Sequence, residues 1–143
     1  AFVAPIENHI FSVARSNLLS NLPIGFDWND LEHMKSFSRP ILILTCVYYA
    51  VFNVLIGPIT EELFFRGYLT SHYKKQSSFT PILIAVLFSL YHFWLPFNNV
   101  FRILVFAPVA YVAYKKKNIY ISICFHCVCN LFSVVSFILE VMG

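Results

Sequence analysis

Two adjacent carboxylates, Glu61 and Glu62, and an arginine, Arg66, interrupt the otherwise apolar stretch Gly57-Pro58-Ile59-Thr60-Glu61-Glu62-Leu63-Phe64-Phe65-Arg66-Gly67. His92, His126 and Asn130 are likewise isolated within apolar runs, as is Asn53 ahead of the pair. Glu62 precedes Arg66 by four residues, the orientation that favours a helical ion pair, so this couple has a structural explanation. Glu61 gains no arginine on its own helix face. A carboxylate left among imidazoles is a candidate general base that takes a proton from water. Taken singly, His92 and Asn130 read as side chains that hydrogen-bond one helix to another.

Such charges matter because of where they sit. The chain of 143 residues is 59% hydrophobic and 12% charged, with a mean hydropathy of +0.71, beyond what a soluble domain carries. A membrane protein is expected. At mid-bilayer a charged side chain costs about 2.5–3.5 kcal/mol, so these groups must face protein or water. The formal net charge of +3 comes with clustered lysines, which reads as membrane topology and not as nucleic-acid binding. The runs are continuous and not alternating, which argues against a β-barrel.

The elements that position these residues follow from the apolar runs. Residues 1–39 mix polar and apolar positions and read as a juxtamembrane or interfacial segment; residues 40–143 form the membrane core. A first span is expected over 41–56, closed by Gly57-Pro58, with a separate motif helix opening near Pro58 and running to about His72. Further spans follow over 79–95, 100–114 and 119–139, with Pro96-Phe97-Asn98-Asn99 as a turn, giving about four spans plus the motif helix. This is an all-α, polytopic transmembrane helix bundle. The hairpin of the middle spans places Lys74-Lys75 and Lys115 to Lys117 on one membrane face. The chain opens at Ala1 with no methionine, which reads as a segment of something longer, and the given residues show no basic n-region of a classical signal peptide.

Depth brings the polar residues together. Glu61 lies thirteen residues before Lys74, His92 thirteen after Phe79 and Asn130 thirteen after Lys117; at a rise of ~1.5 Å per residue each is about 20 Å from the lysine-rich end. His126 and Asn130, four apart, share a helix face, and Phe88 lies one turn from His92. The cysteines Cys46, Cys124, Cys127 and Cys129 sit in apolar runs and read as small hydrophobes. Cys124-Phe125-His126-Cys127 is a CxxC whose sharper reading is a metal or redox site, but no second CxxC or βαβ context accompanies it.

Glu61-Glu62-Leu63-Phe64-Phe65-Arg66 fits EExxxR, Phe88-Ser89-Leu90-Tyr91-His92 fits FxxxH, and His126-Cys127-Val128-Cys129-Asn130 fits HxxxN, in order along the chain. With these motifs, over residues 41–139, the chain resembles the CAAX protease and bacteriocin-processing family, which includes the type II CAAX prenyl endopeptidases of the glutamic intramembrane protease class. The resemblance implies peptide-bond hydrolysis with Glu61 activating water, His92 positioning or polarising it, His126 and Asn130 stabilising the oxyanion, and Glu62 and Arg66 supporting the site. It implies no cofactor, membrane lipid and a peptide or protein substrate as partners, that substrate prenylated in a CAAX-processing enzyme, and no nucleic acid. The expected location is multi-pass in a bacterial plasma membrane or an internal membrane such as the endoplasmic reticulum. The chain looks short for the family, whose members usually carry further spans.

Two other readings compete. In one, Glu61, His92 and His126 ligate a zinc ion that carries the hydrolytic water, although the HExxH spacing is absent. In the other, the protein is a non-catalytic membrane scaffold or immunity-type protein whose polar residues hold helices together.

Overall fold

The computed structural model describes residues 34–74, 76–92 and 98–143, so the expected juxtamembrane segment lies almost wholly outside the described residues, as does part of the Pro96 turn. Every regular element among the described residues is helical: α1 (Arg39–His72), α2 (Thr80–Tyr91), α3 (Asn99–Lys116) and α4 (Tyr120–Met142). Prolines mark two of the starts. Pro40 and Pro81 occupy the first turns of α1 and α2, where a missing N–H leaves no intrahelical bond unmade.

The expected break at Gly57-Pro58 is absent: α1 is one continuous helix of 34 residues. Proline in a helix interior removes a donor and pushes its ring against the carbonyl four residues back. α1 accommodates this by widening, with π-helical turns over Val51–Ile56 immediately before the proline; a second π-helical stretch covers Leu63–Leu69. Within the first wide segment the Gly57 N–H donates to the Phe52 carbonyl, five residues back. Glycine suits that position, because a Cβ there would stand 3.0 Å from the Phe52 oxygen. The sequence signal for a helix start was sound chemistry, but local widening absorbed it.

α2 is shorter than its expected span of 79–95, ending at Tyr91. Twelve residues rise about 18 Å, short of a ~30 Å hydrocarbon core, so α2 ends at an intermediate depth with His92 at its tip. The His92 N–H bonds the Ser89 carbonyl at 3.1 Å, closing the last turn. α1 and α4 are long and apolar enough to cross a membrane, and only 11% and 17% of their most apolar windows are buried within the protein. Leu44, Phe132 and Leu139 on them project outward, which is where lipid replaces water as the solvent.

The lysine-bearing connections are neighbours, as the hairpin reading expects. Tyr114 Oη donates to Gln76 Oε1 at 3.0 Å and Lys115 Nζ to Ser78 Oγ at 3.5 Å, joining the end of α3 to the α1–α2 connection. Between the helices, Phe65, Ile84, Phe88 and Phe106 form a buried cluster from α1, α2 and α3, with Phe125 of α4 packed against it. That aromatic block sets the rotation of the helices that carry the polar residues.

Candidate active site

Glu62 is fully buried, with 0% of its side chain exposed. Its Oε1 stands 3.1 Å from Arg66 Nη1, one turn along α1, and 3.0 Å from His126 Nδ1 on α4. The helical ion pair expected from the spacing is therefore present, and it carries an interhelical bond to a histidine that spacing alone did not reveal. Arg66 also lies over the Phe88 ring, 4.3 Å from its centroid, so the aromatic block helps hold the cation.

Glu61 occupies the neighbouring position and reaches toward two imidazole rings. Its Oε1 is 3.8 Å from His92 Nε2 and its Oε2 is 3.8 Å from His126 Nε2, with 23% of its side chain exposed. Those distances exceed a hydrogen bond, so the carboxylate sits between two rings without being tied to either. Three segments far apart in sequence, α1, the tip of α2 and α4, thus converge on Glu61, as the depth count expects for Glu61 and His92.

The partners of the two rings define their protonation geometry. His92 Nδ1 is 2.9 Å from the Phe88 carbonyl, and His126 Nδ1 is 3.0 Å from the Glu62 carboxylate. Both partners are acceptors, so each Nδ1 must carry the proton and donate it. In a neutral ring Nε2 is then the lone-pair nitrogen. Both histidines present that atom to Glu61. Phe88 stacks edge-on against both, with centroids 4.9 Å from His92 and 5.5 Å from His126, and Phe106 packs likewise against His126 at 4.8 Å. The Phe of FxxxH therefore works twice: its carbonyl fixes one ring and its side chain abuts two.

Asn130 is placed differently from its depth count. Its Nδ2 donates at 2.7 Å to the Asn53 carbonyl, eight residues before Glu61 on α1. That carbonyl is an orphan of the wide turn: the Gly57 N–H that would serve it in an α-helix goes to Phe52, and Pro58, next in line, has no N–H. An unpaired carbonyl in an apolar interior is destabilising, and Asn130 relieves it. The amide retains a second N–H. Asn130→Ala is expected to destabilise the protein by about 1–3 kcal/mol through the stranded carbonyl. In a Pro58→Ala background, where residue 58 regains an N–H, that penalty should shrink. Thermal unfolding in detergent of both singles and the double measures the difference, and strictly additive penalties would contradict the link.

A further polar group escaped the sequence reading. Ser89 Oγ donates to the Asn99 carbonyl at 2.9 Å, and Arg102 Nη1 donates to Asn99 Oδ1 at 3.0 Å, tying the end of α2 to the start of α3 beside His92. The signal available was the Asn99 and Arg102 pair, three apart at a helix start. All four cysteines are free thiols, the CxxC pair included. Among the described residues no three His, Cys, Asp or Glu side chains group as ligands around a common point.

Residues 43–132 match the sequence model of a family described as type II CAAX prenyl endopeptidase, Rce1-like. No curated protein and no solved structure matches the chain.

Proposed function

We propose, from the premise that the chain belongs to the Rce1-like family of type II CAAX prenyl endopeptidases, that it is an intramembrane endopeptidase in which Glu61 activates the hydrolytic water. The family is one of membrane-embedded peptidases of the CAAX-processing type, acting on peptide or protein substrates. The observation that carries the finer reading is the placement of Glu61 between the Nε2 atoms of His92 and His126, each at 3.8 Å.

In this reading a water held beside Glu61 transfers one proton to the carboxylate and keeps the other, whose O–H is hydrogen-bonded to the His92 Nε2 lone pair. Its oxygen adds to the scissile carbonyl, and the electron pair of the C=O bond moves to oxygen. The second N–H of Asn130 and the His126 ring would face that oxyanion, with Glu62 holding the ring through Nδ1 at 3.0 Å. On collapse the C–N bond breaks and Glu61 returns its proton to the leaving amine. No covalent acyl-enzyme forms. Glu62 and Arg66 act by holding His126, through contacts rather than through the substrate.

The proposed mechanism draws its base and its oxyanion partners from side chains alone, whereas the zinc reading would use Glu61, His92 and His126 as ligands. Incubation with EDTA or 1,10-phenanthroline, followed by dialysis, is expected to leave hydrolysis of a fluorogenic CAAX-type peptide unchanged. Loss of turnover restored by added zinc would favour the metal-dependent reading. A prenylated peptide compared with its unmodified counterpart in the same assay tests the substrate class: a matched kcat/KM for the two would remove the prenyl group from recognition. The lysine-bearing connections are placed on the cytosolic side by the positive-inside tendency.

A further inference from the structure

The lysine-rich end of the molecule contains a cavity of about 600 Å³ that is separate from Glu61 and both histidines facing it. Arg66 and Thr70 of α1 line it, with Gln76 from the α1–α2 connection, Lys115 of α3, and Lys117 and Asn118 from the α3–α4 turn. Every charged side chain in its wall is cationic. Arg66 has Glu62 as its counter-charge behind the wall, but Lys115 and Lys117 bring two further cations to the cavity, a like-charge cluster that an anion would relieve.

Arg66 gives the cavity its specific chemistry. Its side chain is only 5% exposed, and its single close anionic contact, to Glu62, involves Nη1. Nε and Nη2 are buried with no hydrogen-bond partner. A guanidinium offers its N–H groups as a planar fork, and the unpartnered nitrogens of Arg66 lie buried behind the wall that this residue helps to form, where an anion in the cavity suits them better than a hydrophobe. Lys115 and Lys117 are exposed while Arg66 is buried, so the cations run from the mouth of the cavity to its interior.

Lys117 adds an independent sign. It adopts a left-handed backbone, φ 50°, as the residue that ends α3, a position that ordinarily goes to glycine or asparagine. A lysine there departs from local preference while its side chain reaches the cavity. The lysine-bearing face is where anionic lipid headgroups meet the protein, and basic pockets between membrane helices are suited to hold them.

We propose that this cavity binds a phosphate group, presented by an anionic phospholipid of the lysine-side leaflet, with Arg66 at its inner wall and Lys115 and Lys117 at its mouth. The cavity lies apart from Glu61 and its two histidines, shares only Arg66 with their support, and does not depend on the peptidase reading. Its test therefore uses binding and melting, not turnover.

The full chain is reconstituted in nanodiscs of phosphatidylcholine alone or doped with phosphatidylglycerol, and Tm and the lipid retained in native mass spectrometry are compared. Phosphatidylglycerol is expected to raise Tm by several degrees and to be retained in preference to phosphatidylcholine. The double variant Lys115→Gln/Lys117→Gly should lose both effects, its affinity falling roughly tenfold or more for two cations near an anionic surface. Glycine is the favoured residue for the left-handed position, so this variant keeps the fold. Lys116→Gln removes a charge from the same turn but outside the cavity wall, and should retain both effects. Inorganic phosphate in neutral detergent, if it raises Tm in the parent protein but not in the double variant, supports the same phosphate site with a soluble anion as its source. No preference for phosphatidylglycerol together with no effect of phosphate overturns the proposal. So does persistence of the effects in the double variant, or equal loss in Lys116→Gln.

Discussion

Glu61→Gln is expected to lower peptide hydrolysis by about two to four orders of magnitude, the range that a positioned general base contributes. The amide keeps the shape of the carboxylate but cannot accept the proton of water. Folding should be little affected, because Glu61 is partly exposed and stands 3.8 Å from each histidine, outside hydrogen-bonding distance. The measurement is kcat/KM on a fluorogenic CAAX-type peptide in detergent or nanodiscs, beside a melting curve. Undiminished hydrolysis would sink the assignment of the base. If the parent protein hydrolysed no peptide under any lipid condition, the scaffold reading would gain in its place.

Arg66→Met is expected to have the largest effect on stability, about 3–5 kcal/mol, because it leaves the Glu62 carboxylate buried without its cation. For a chain of this size that corresponds to a fall in Tm on the order of 10 °C. Removing both charges together, as Glu62→Gln/Arg66→Met, is expected to be milder than removing the arginine alone, since no uncompensated charge then remains inside. Thermal unfolding of the singles and the double closes the cycle. A double variant worse than Arg66→Met by the full loss of Glu62→Gln would mean that the two side chains act independently. Turnover of Glu62→Gln measured beside Glu61→Gln separates roles: Glu62 should influence it through His126, while Glu61 should influence it directly.

The contrast between the two glutamates was partly legible in the sequence. Glu62 and Arg66 are four apart on one helix, and that spacing requires proximity whatever the rest of the fold does. Glu61, one residue earlier, is turned about 100° around the helix axis and needs partners from elsewhere. Sequence spacing identified those partners as histidines but divided them too cleanly, because His126 touches both carboxylates, Nδ1 on Glu62 and Nε2 toward Glu61. One imidazole has two nitrogens on opposite edges, and only the position of α4 decides that both are used.

Gly57-Pro58 and Asn130 show a different limit. Proline is an ordinary helix starter, and a reading from local propensity begins a helix there. A continuous α1 became possible because the wide turn over Val51–Ile56 rearranges the backbone bonds and Asn130, seventy-seven residues later, takes the carbonyl left over. Neither half of that arrangement is favourable without the other. The Ser89, Asn99 and Arg102 network was missed for a related reason: each residue is ordinary in its own helix, and the network exists only where the end of α2 meets the start of α3.

The sequence by itself determined membrane residence, the all-helical class, the ion pair on α1 and the three motifs behind the family resemblance, because each rests on composition or on spacing along one chain. Only the tertiary structure decided that α1 runs unbroken, that His126 bridges the glutamates and that Asn130 supports a backbone carbonyl. Those outcomes depend on helix register and rotation, which Phe65, Phe88 and Phe106 fix by packing across three helices. Hydrogen bonds between helices are short-ranged and directional, so a shift of one residue in that packing would give Glu61 different neighbours.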